Sequence, residues 1–404
     1  MNICIIGSTF LPEMTGVGTH INNMMREYAK LGHKVLVLCP DYSIAEDIFP
    51  DYKDYIGELE ENVLVVPVPS KDIFVVDGRL IQFAHWSEWN LEDYIGGFLP
   101  DALIVEDPAR IFDLSILGVP GACAYGKSIG VEYAREKGIP VIGIYHTNFP
   151  MHVDCVAPAH VPTPYRLDKC GVYKKIFSGY DIILCACNEV YKFVAGHGLG
   201  NVKAGAYVGI NQNIFSNSEK SNLVNSDENI KLFYAGKLDK DKDIYNTLEI
   251  FRNLKRTHEK VNMYIAGGGV GEDGLREVCT REKDIIYLGK LNQSELVKVY
   301  NSVDIYLSPH PSETYGLSIL EAMSRGVPVV TADGGGPKNL VEKGVSGFRC
   351  TTMDEYMNAL KLLAEDSGLR YRMGQAGKKF AGNYYCNRCA DNVLNEIFKL
   401  RGQT

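Results

Sequence analysis

The sequence predicts two α/β units in tandem, each a largely parallel sheet flanked by helices, and three observations lead there. The chain has 404 residues, enough for two domains at roughly 100–200 residues each. Short apolar strand patterns alternate with amphipathic helical patterns through both halves, as in βαβ units whose sheets are covered on both faces. Between the two series lies a stretch dominated by Ser, Asn, Glu, Lys and Asp, read as a linker over residues 213–229. The predicted domains are therefore 1–212 and 230–384, with a last helix over 385–404.

The first unit opens with a strand over 2–6. Residues 18–30 follow as a helix, with Ile21, Met24, Met25 and Tyr28 at helical spacing. Strands are expected over 34–39, 62–68 and 102–106, then a helix ending near Lys137, then strands over 140–145 and 182–187. In the second unit strands are expected over 231–234, 262–266, 285–288, 304–307 and 328–331, with helical patterns between them. The end of the chain, 377–400, reads as one long helix. No short-period repeat is present, which excludes a solenoid.

Composition narrows the function classes. Hydrophobic residues make up 46% of the chain, ample for two cores. A net charge of −8 excludes general nucleic-acid binding, which needs a basic footprint. It also disfavours adhesion to an anionic membrane, leaving only a weak peripheral contact through a local basic patch. The eleven cysteines are odd in number and scattered, unlike a disulfide framework. Cys4, Cys39, Cys185 and Cys187 sit in apolar runs and read as small core residues. Cys386 and Cys389 form one CxxC without the second ligand pair that a zinc site needs. Reduced thiols, a start that reads directly as a strand, and no run of about 18 apolar residues point to a cytoplasmic protein.

The most informative stretch is 308–336, SPHPSETYGLSILEAMSRGVPVVTADGGG. A strand leads into a loop, a helix begins near Gly316, and Gly326 stops it before the next strand. The amides of Tyr315, Gly316 and Leu317 lack partners inside that helix, and with its dipole they can hold a phosphate. Glu313 precedes the helix. Glu321 lies on it and leans back toward its start. A carboxylate can accept two hydroxyl hydrogen bonds, which suits a ribose or a sugar diol. Glu321 also stands four before Arg325, the spacing of an ordinary surface ion pair, so the pair of acids carries little weight by itself.

The whole string carries more. Residues 313–330 resemble the retaining glycosyltransferases of family 4, called group 1, whose signature is ExFGLxxLEAMAxGxPVV; Tyr315 and Ser324 stand at its Phe and second Ala. The resemblance implies a GT-B fold, with two Rossmann-like domains facing across a cleft and a C-terminal helix crossing back to the first. It also implies the roles. Glu313 meets donor-sugar hydroxyls, Glu321 meets the ribose, and the amides of Tyr315, Gly316 and Leu317 hold sugar and phosphate oxygens.

Three further segments extend the resemblance. The charged loop after Gly236 places Lys237 and Lys242 where the family carries an Arg and a Lys for the pyrophosphate. Lys237 keeps the charge without the planar fork. In the loop 12–20, Thr15 replaces the first of two adjacent glycines, so Gly16 alone carries over. His146 ends the strand of IYHTNFP. Alone, such a histidine is more often structural, but the family has a strand-end histidine facing the donor sugar, and members that glycosylate lipids share a YHT segment. Leu288 and Lys290 fall in the segment whose backbone recognises the base. Weaker echoes are Val208–Asn211 with Phe215, and the run Tyr264–Gly269.

What the resemblance implies is a hexosyltransferase moving sugar from a UDP- or GDP-linked donor to a hydroxyl of a glycan or lipid-linked acceptor. Catalysis rests on His146, Glu313 and Lys242, with front-face displacement favoured because no acid is placed as a nucleophile. No cofactor or metal is required beyond the nucleotide-sugar co-substrate, although a divalent ion could stimulate. Two rival readings are a sugar-nucleotide epimerase of the same fold and a non-enzymatic two-domain sugar-binding protein.

Overall fold

The structure, a computed structural model, describes residues 1–13, 15–76, 79–84, 91–108, 129–146, 172–216, 219–238, 244–311, 313, 315–316 and 317–402. The chain divides into two units: Met1–Val76, Leu80–Gly209 and Cys386–Thr404 form the first, and Ile210–Tyr385 the core of the second.

The strands of the first unit are β1 Asn2–Gly7, β2 Lys34–Pro40, β3 Gly57–Glu60, β4 Val63–Val68, β5 Ser70–Val76, β6 Arg79–Ala84, β7 Ala102–Glu106, β8 Val141–Tyr145, β9 Ile182–Cys185 and β10 Val202–Ala204. Eight of them form one sheet in the order β10-β9-β8-β7-β1-β2-β4-β3, while β5 and β6 pair separately. All neighbours in the large sheet are parallel except β3 with β4. From Ile3 to Ile6 β1 is apolar because both its faces are covered, and Ile3, Cys4, Ile5 and Ile6 have no exposure. The sheet winds outward in both directions from β1 and β7, so the loops after these two strands diverge and leave a crevice at their carboxyl ends.

The helix Gly16–Lys30 buries Ile21, Met24, Met25 and Tyr28 and packs against the last helix, Cys386–Arg401. That last helix buries Cys386, Cys389, Ala390, Val393, Leu394 and Ile397, a stripe at spacings of three and four. Its rim is pinned to the same unit by Lys203–Glu396 (2.5 Å), Arg401–Asp101 (2.9 Å) and the Asn392 amide on the Ala206 carbonyl (2.9 Å). The C-terminal helix thus returns to the first unit. The CxxC cysteines are core residues of this contact, and burial pushes their thiols up, Cys389 to about 12.

The second unit contains β11 Ile230–Ala235, β12 Val261–Ala266, β13 Ile285–Gly289, β14 Ile305–Ser308, β15 Val329–Ala332 and β16 Gly347–Cys350. Their order, β13-β12-β11-β14-β15-β16, is the 3-2-1-4-5-6 arrangement of a Rossmann sheet, parallel throughout. Its core gathers Leu232, Met263, Ile265, Ile305 and Leu307 from the strands, and Leu248, Phe251 and Leu360 from the helices over one face.

Two expectations change. The stretch read as one helix over 377–400 is two, Ser367–Ala381 and Cys386–Arg401, separated by a 3-10 turn and an extended Tyr385. Tyr385 bridges to Ile210, and the Ile210 amide donates to the Tyr384 carbonyl (2.9 Å), so the break lies where the chain passes from one unit to the other. Helical periodicity continues across it because each piece buries its own stripe. The segment 213–229 is fastened to the second unit. Phe215 is buried, Arg325 donates to its carbonyl, Lys298 pairs with Glu219 (2.8 Å), and the Asn225 amide donates to the Tyr264 hydroxyl (3.0 Å). Polar composition there records exposure, not detachment.

Candidate functional site

In the second unit the order of strands reverses between β11 and β14, and ligands of such sheets sit outside the carboxyl ends at that point. Phe233 of β11 pairs with Tyr306 of β14, and the Tyr306 hydroxyl donates to the Ala235 carbonyl (3.0 Å), locking the two strand ends together. Lys237 leaves the first of these ends, and the loop with Glu313 leaves the second. Tyr306 also senses the acids of this edge. Burial pushes its phenol up, and the charges of Glu313 and Glu321 add to that. Lys237 is half-buried, and its carbonyl accepts from the Tyr234 hydroxyl (3.0 Å). Lys242 lies outside the described residues.

Beyond the loop, the helix Leu317–Ser324 starts after Gly316, which sits at its N-cap position in the left-handed region (φ 98°) that favours glycine. Gly316 supplies no side-chain cap to the amides that open the helix. Its carbonyl accepts from Ile319 (3.0 Å) and Leu320 (3.1 Å). The helix is rigidly seated, with Ile319, Leu320, Ala322 and Met323 fully buried. Tyr315 is buried beside it, and Glu313 is half-buried.

Glu321 does not pair with Arg325, whose guanidinium instead reaches Asn301 (2.7 Å) and the Phe215 carbonyl. The Glu321 carboxyl is buried and accepts a hydrogen bond from the Tyr300 hydroxyl (3.1 Å). Burial pushes it up to about 7, and the Tyr300 bond only partly offsets this. Near neutrality the group is therefore balanced between acid and carboxylate. Leu288 lies in β13, half-buried, and Lys290 lays its chain over Gly268, where a β-carbon would sit 2.2 Å from its Cε.

Two contributors at this edge were not singled out in the sequence. Tyr300 positions Glu321 from the helix Gln293–Tyr300. The triplet Gly334–Gly336 supports the Glu313 loop from behind. The Gly336 amide donates to the Glu313 carbonyl (2.8 Å), and a β-carbon at Gly336 would lie 2.1 Å from the Tyr315 carbonyl oxygen. Three consecutive glycines after a strand were the available signal for the triplet. Nothing in the sequence joins Tyr300 to Glu321.

The first unit has its own cluster at the carboxyl ends of β7 and β8. Glu106 ends β7, and His146 directly follows β8. The His146 ring hydrogen-bonds through Nε2 to Glu106 Oε2, and its backbone amide donates to Asp107 Oδ1 (3.0 Å). His20, from the helix Gly16–Lys30, brings Nε2 to 3.6 Å from Glu106 Oε1, and its ring centroid is 4.8 Å from that of His146. All three side chains are buried. Burial raises the Glu106 carboxyl, but the two imidazoles outweigh it and hold the group at about 2. Burial lowers both histidines. For His146, Glu106 reverses the direction and raises it, whereas His20 stays lowered. Gly16 is exposed at the first turn of its helix, where Thr15 caps the Gly18 amide (2.9 Å).

His20, Glu106 and His146 are the one group of potential metal ligands among the described residues. A zinc ion with bonds of about 2.0–2.2 Å keeps tetrahedral ligands roughly 3.4 Å apart. The direct His146–Glu106 hydrogen bond is tighter than that. Ligating histidines also donate their second nitrogen to an acceptor, and neither histidine does so among the described residues. The cluster fits a shared proton better than a cation. Glu106 and His20 were not assigned roles in the sequence, although an acid closing the apolar run ALIVE was a visible signal.

Comparison with known proteins places this architecture. Residues 215–380 match the family described as Glycosyl transferases group 1. The chain is similar to alpha-monoglucosyldiacylglycerol synthase of Streptococcus pneumoniae, at 23% identity covering 86% of this chain and 74% of that one. It is similar to a GDP-mannose-dependent alpha-mannosyltransferase of Mycobacterium tuberculosis, at 22% identity covering 86% and 83%. Among solved structures, sucrose-phosphate synthase from Thermosynechococcus elongatus superposes with a TM-score of 0.75 at 15% identity, with full coverage of both chains. Anabaena HepE in complex with UDP superposes at 0.68 and 14%, covering 99% of this chain and 100% of that one. No helix among the described residues is long and apolar enough to cross a membrane. With a group 1 match over residues 215–380 of its second unit, relatives named as glycosyltransferases, two Rossmann-like units and a returning C-terminal helix, the chain is a glycosyltransferase of the GT-B fold.

Proposed function

We propose that the enzyme moves a hexose from a UDP- or GDP-linked donor to a hydroxyl of a glycan or lipid-linked acceptor, with retention at the anomeric carbon. The observation that carries this reading is the junction of β11 and β14, where Lys237 and an uncapped helix start leave adjacent strand ends beside Glu313 and Glu321. That combination offers positive charge and amides for a diphosphate, and carboxylates for hydroxyls. The relatives' names support a hexosyl donor. One names a glucosyldiacylglycerol product and another GDP-mannose, and a structural neighbour was solved with UDP.

In this reading Lys237, Lys242 and the amides of Tyr315, Gly316 and Leu317 stabilise the departing diphosphate. Glu313 holds the sugar hydroxyls, Glu321 the ribose, and the Leu288–Lys290 backbone the base, and Gly16, lacking a side chain, suits close approach of backbone to a phosphate. The glycosyl–phosphate bond breaks, the leaving diphosphate takes the acceptor hydroxyl's proton, and the new bond forms on the same face. His146 orients the sugar and supports the transition state. Protein cations and amides supply the charge stabilisation, so a metal is not required and at most stimulates. The test is nucleotide release from UDP- and GDP-hexoses by wild type, Glu313→Ala and Lys242→Ala. Loss in both variants supports the assignment; undiminished release in both sinks it.

A further inference from the structure

His146 is held from two directions by consecutive residues of one strand end. Asp107 sits in the left-handed region (φ 56°), a setting that aspartate and asparagine tolerate better than other side-chain-bearing residues. That conformation places its carboxylate on the His146 amide, at 3.0 Å, while Glu106 takes the ring through Nε2. The ring is thereby fixed in position and rotation, and its Nε2 edge is occupied. Among the described residues no hydrogen bond is made at Nδ1, the edge that would meet a substrate.

We propose that Glu106 is a positioning residue for glycosyl transfer: it holds His146 as an imidazolium by the Nε2 edge, so that Nδ1–H is presented as a fixed donor to a substrate oxygen. The proposal rests on the role given to His146 above and extends it to a residue with no assigned function. The titratable groups facing His146 among the described residues are Glu106, which ends β7, Asp107 directly after it and His20 from the helix Gly16–Lys30; Tyr28 of that helix faces Glu106. The two acids favour the charged ring and burial opposes it, with Glu106 the deciding group. His20 stays neutral. It is fully buried, neither of its ring nitrogens has a hydrogen-bond partner among the described residues, and a second positive ring 4.8 Å from the first would be repelled. One proton is thus committed to the Glu106–His146 side of the cluster.

The test follows His146 directly, by imidazole nitrogen NMR of the full chain, with His146→Gln used for assignment. Nucleotide release is measured against pH in parallel. In wild type the ring stays charged past the usual histidine range. Glu106→Gln lowers its midpoint by roughly 1–3 pH units, and the alkaline limb of kcat moves down with it. Glu106→Asp, which keeps the charge, restores part of both shifts and guards against a folding defect in the glutamine variant. His20→Gln leaves the His146 midpoint in place. Identical His146 midpoints in wild type and Glu106→Gln overturn the proposal, as does a shifted midpoint with an unmoved rate profile. A wild-type enzyme that releases no nucleotide from any donor overturns the functional reading instead, and the NMR midpoints still decide whether Glu106 sets the state of the ring.

Discussion

Glu321→Gln is the most informative single perturbation of the second unit. The Glu321 carboxyl is pushed up to about 7 by burial, with Tyr300 its hydrogen-bonding partner. A ribose diol donates hydrogen bonds, and the carboxylate accepts them on both oxygens with its charge, so the diol binds it more tightly than the acid. At about pH 6 roughly one site in ten is ionised, and at about pH 8 roughly nine in ten. Donor affinity should therefore rise across that interval, by up to about tenfold, or about 1.4 kcal/mol. Nucleotide sugars suit the assay because their pyrophosphate diester does not titrate there. Calorimetry in buffers of different ionisation enthalpy should also read about half a proton released on binding near pH 7. Glu321→Gln flattens the profile and weakens binding at the alkaline end by about 1.5–3 kcal/mol, the worth of hydrogen bonds to a charged group. The sign for stability is the reverse. The folded state holds a proton that the unfolded state has released between about pH 4.5 and about pH 7, so stability falls as pH rises through that window, by up to about 3 kcal/mol. Wild-type affinity that is flat with pH, or a slope that survives in Glu321→Gln, would refute the placement of the ribose on this carboxyl.

Other outcomes follow from the packing. Gly336→Ala should displace the Tyr315 carbonyl and weaken donor binding in a thermal-shift titration, with secondary structure by circular dichroism retained. Ile397→Ala, in the fully buried stripe of the last helix, should cost about 2–5 kcal/mol in urea denaturation; an unchanged midpoint would contradict the packing of that helix on the first unit. Arg325→Ala removes the clasp on Asn301 and the Phe215 carbonyl, so limited proteolysis within 213–229 should accelerate several-fold. The Glu106–His146 pair should stabilise the fold from above about pH 4.5 until His146 loses its proton above the ordinary histidine range. The gain relative to Glu106→Gln should fade outside that window in melts taken across pH.

Much of this molecule was legible in sequence because its strands are buried on both faces. Runs such as NICIIG and KVLVLC have few alternatives to parallel strands, and their bounds agree with the sheet to a residue or two. The string 313–330 was legible as a family signature, and the sheet adds the reason for its place, at the end of the strand next to β11. What escaped were contacts between residues distant in the chain. Tyr300 and Glu321 are 21 apart, and Glu106 and His146 are 40 apart. Such pairs depend on strand order, which periodicity does not encode. The break at Tyr385 escaped for another reason: two helices with similar stripes, each serving a different unit, read as one.

The central claim is that the second unit binds a nucleotide sugar at the β11–β14 edge and that the enzyme uses it for transfer. It is tested most directly by nucleotide release from UDP-glucose and GDP-mannose in wild type and Glu313→Ala. Wild type should release nucleotide from one of them, and Glu313→Ala should lose about 2.7–4 kcal/mol of transition-state stabilisation, roughly a hundred- to thousandfold in rate. Release by Glu313→Ala at the wild-type rate would contradict the account.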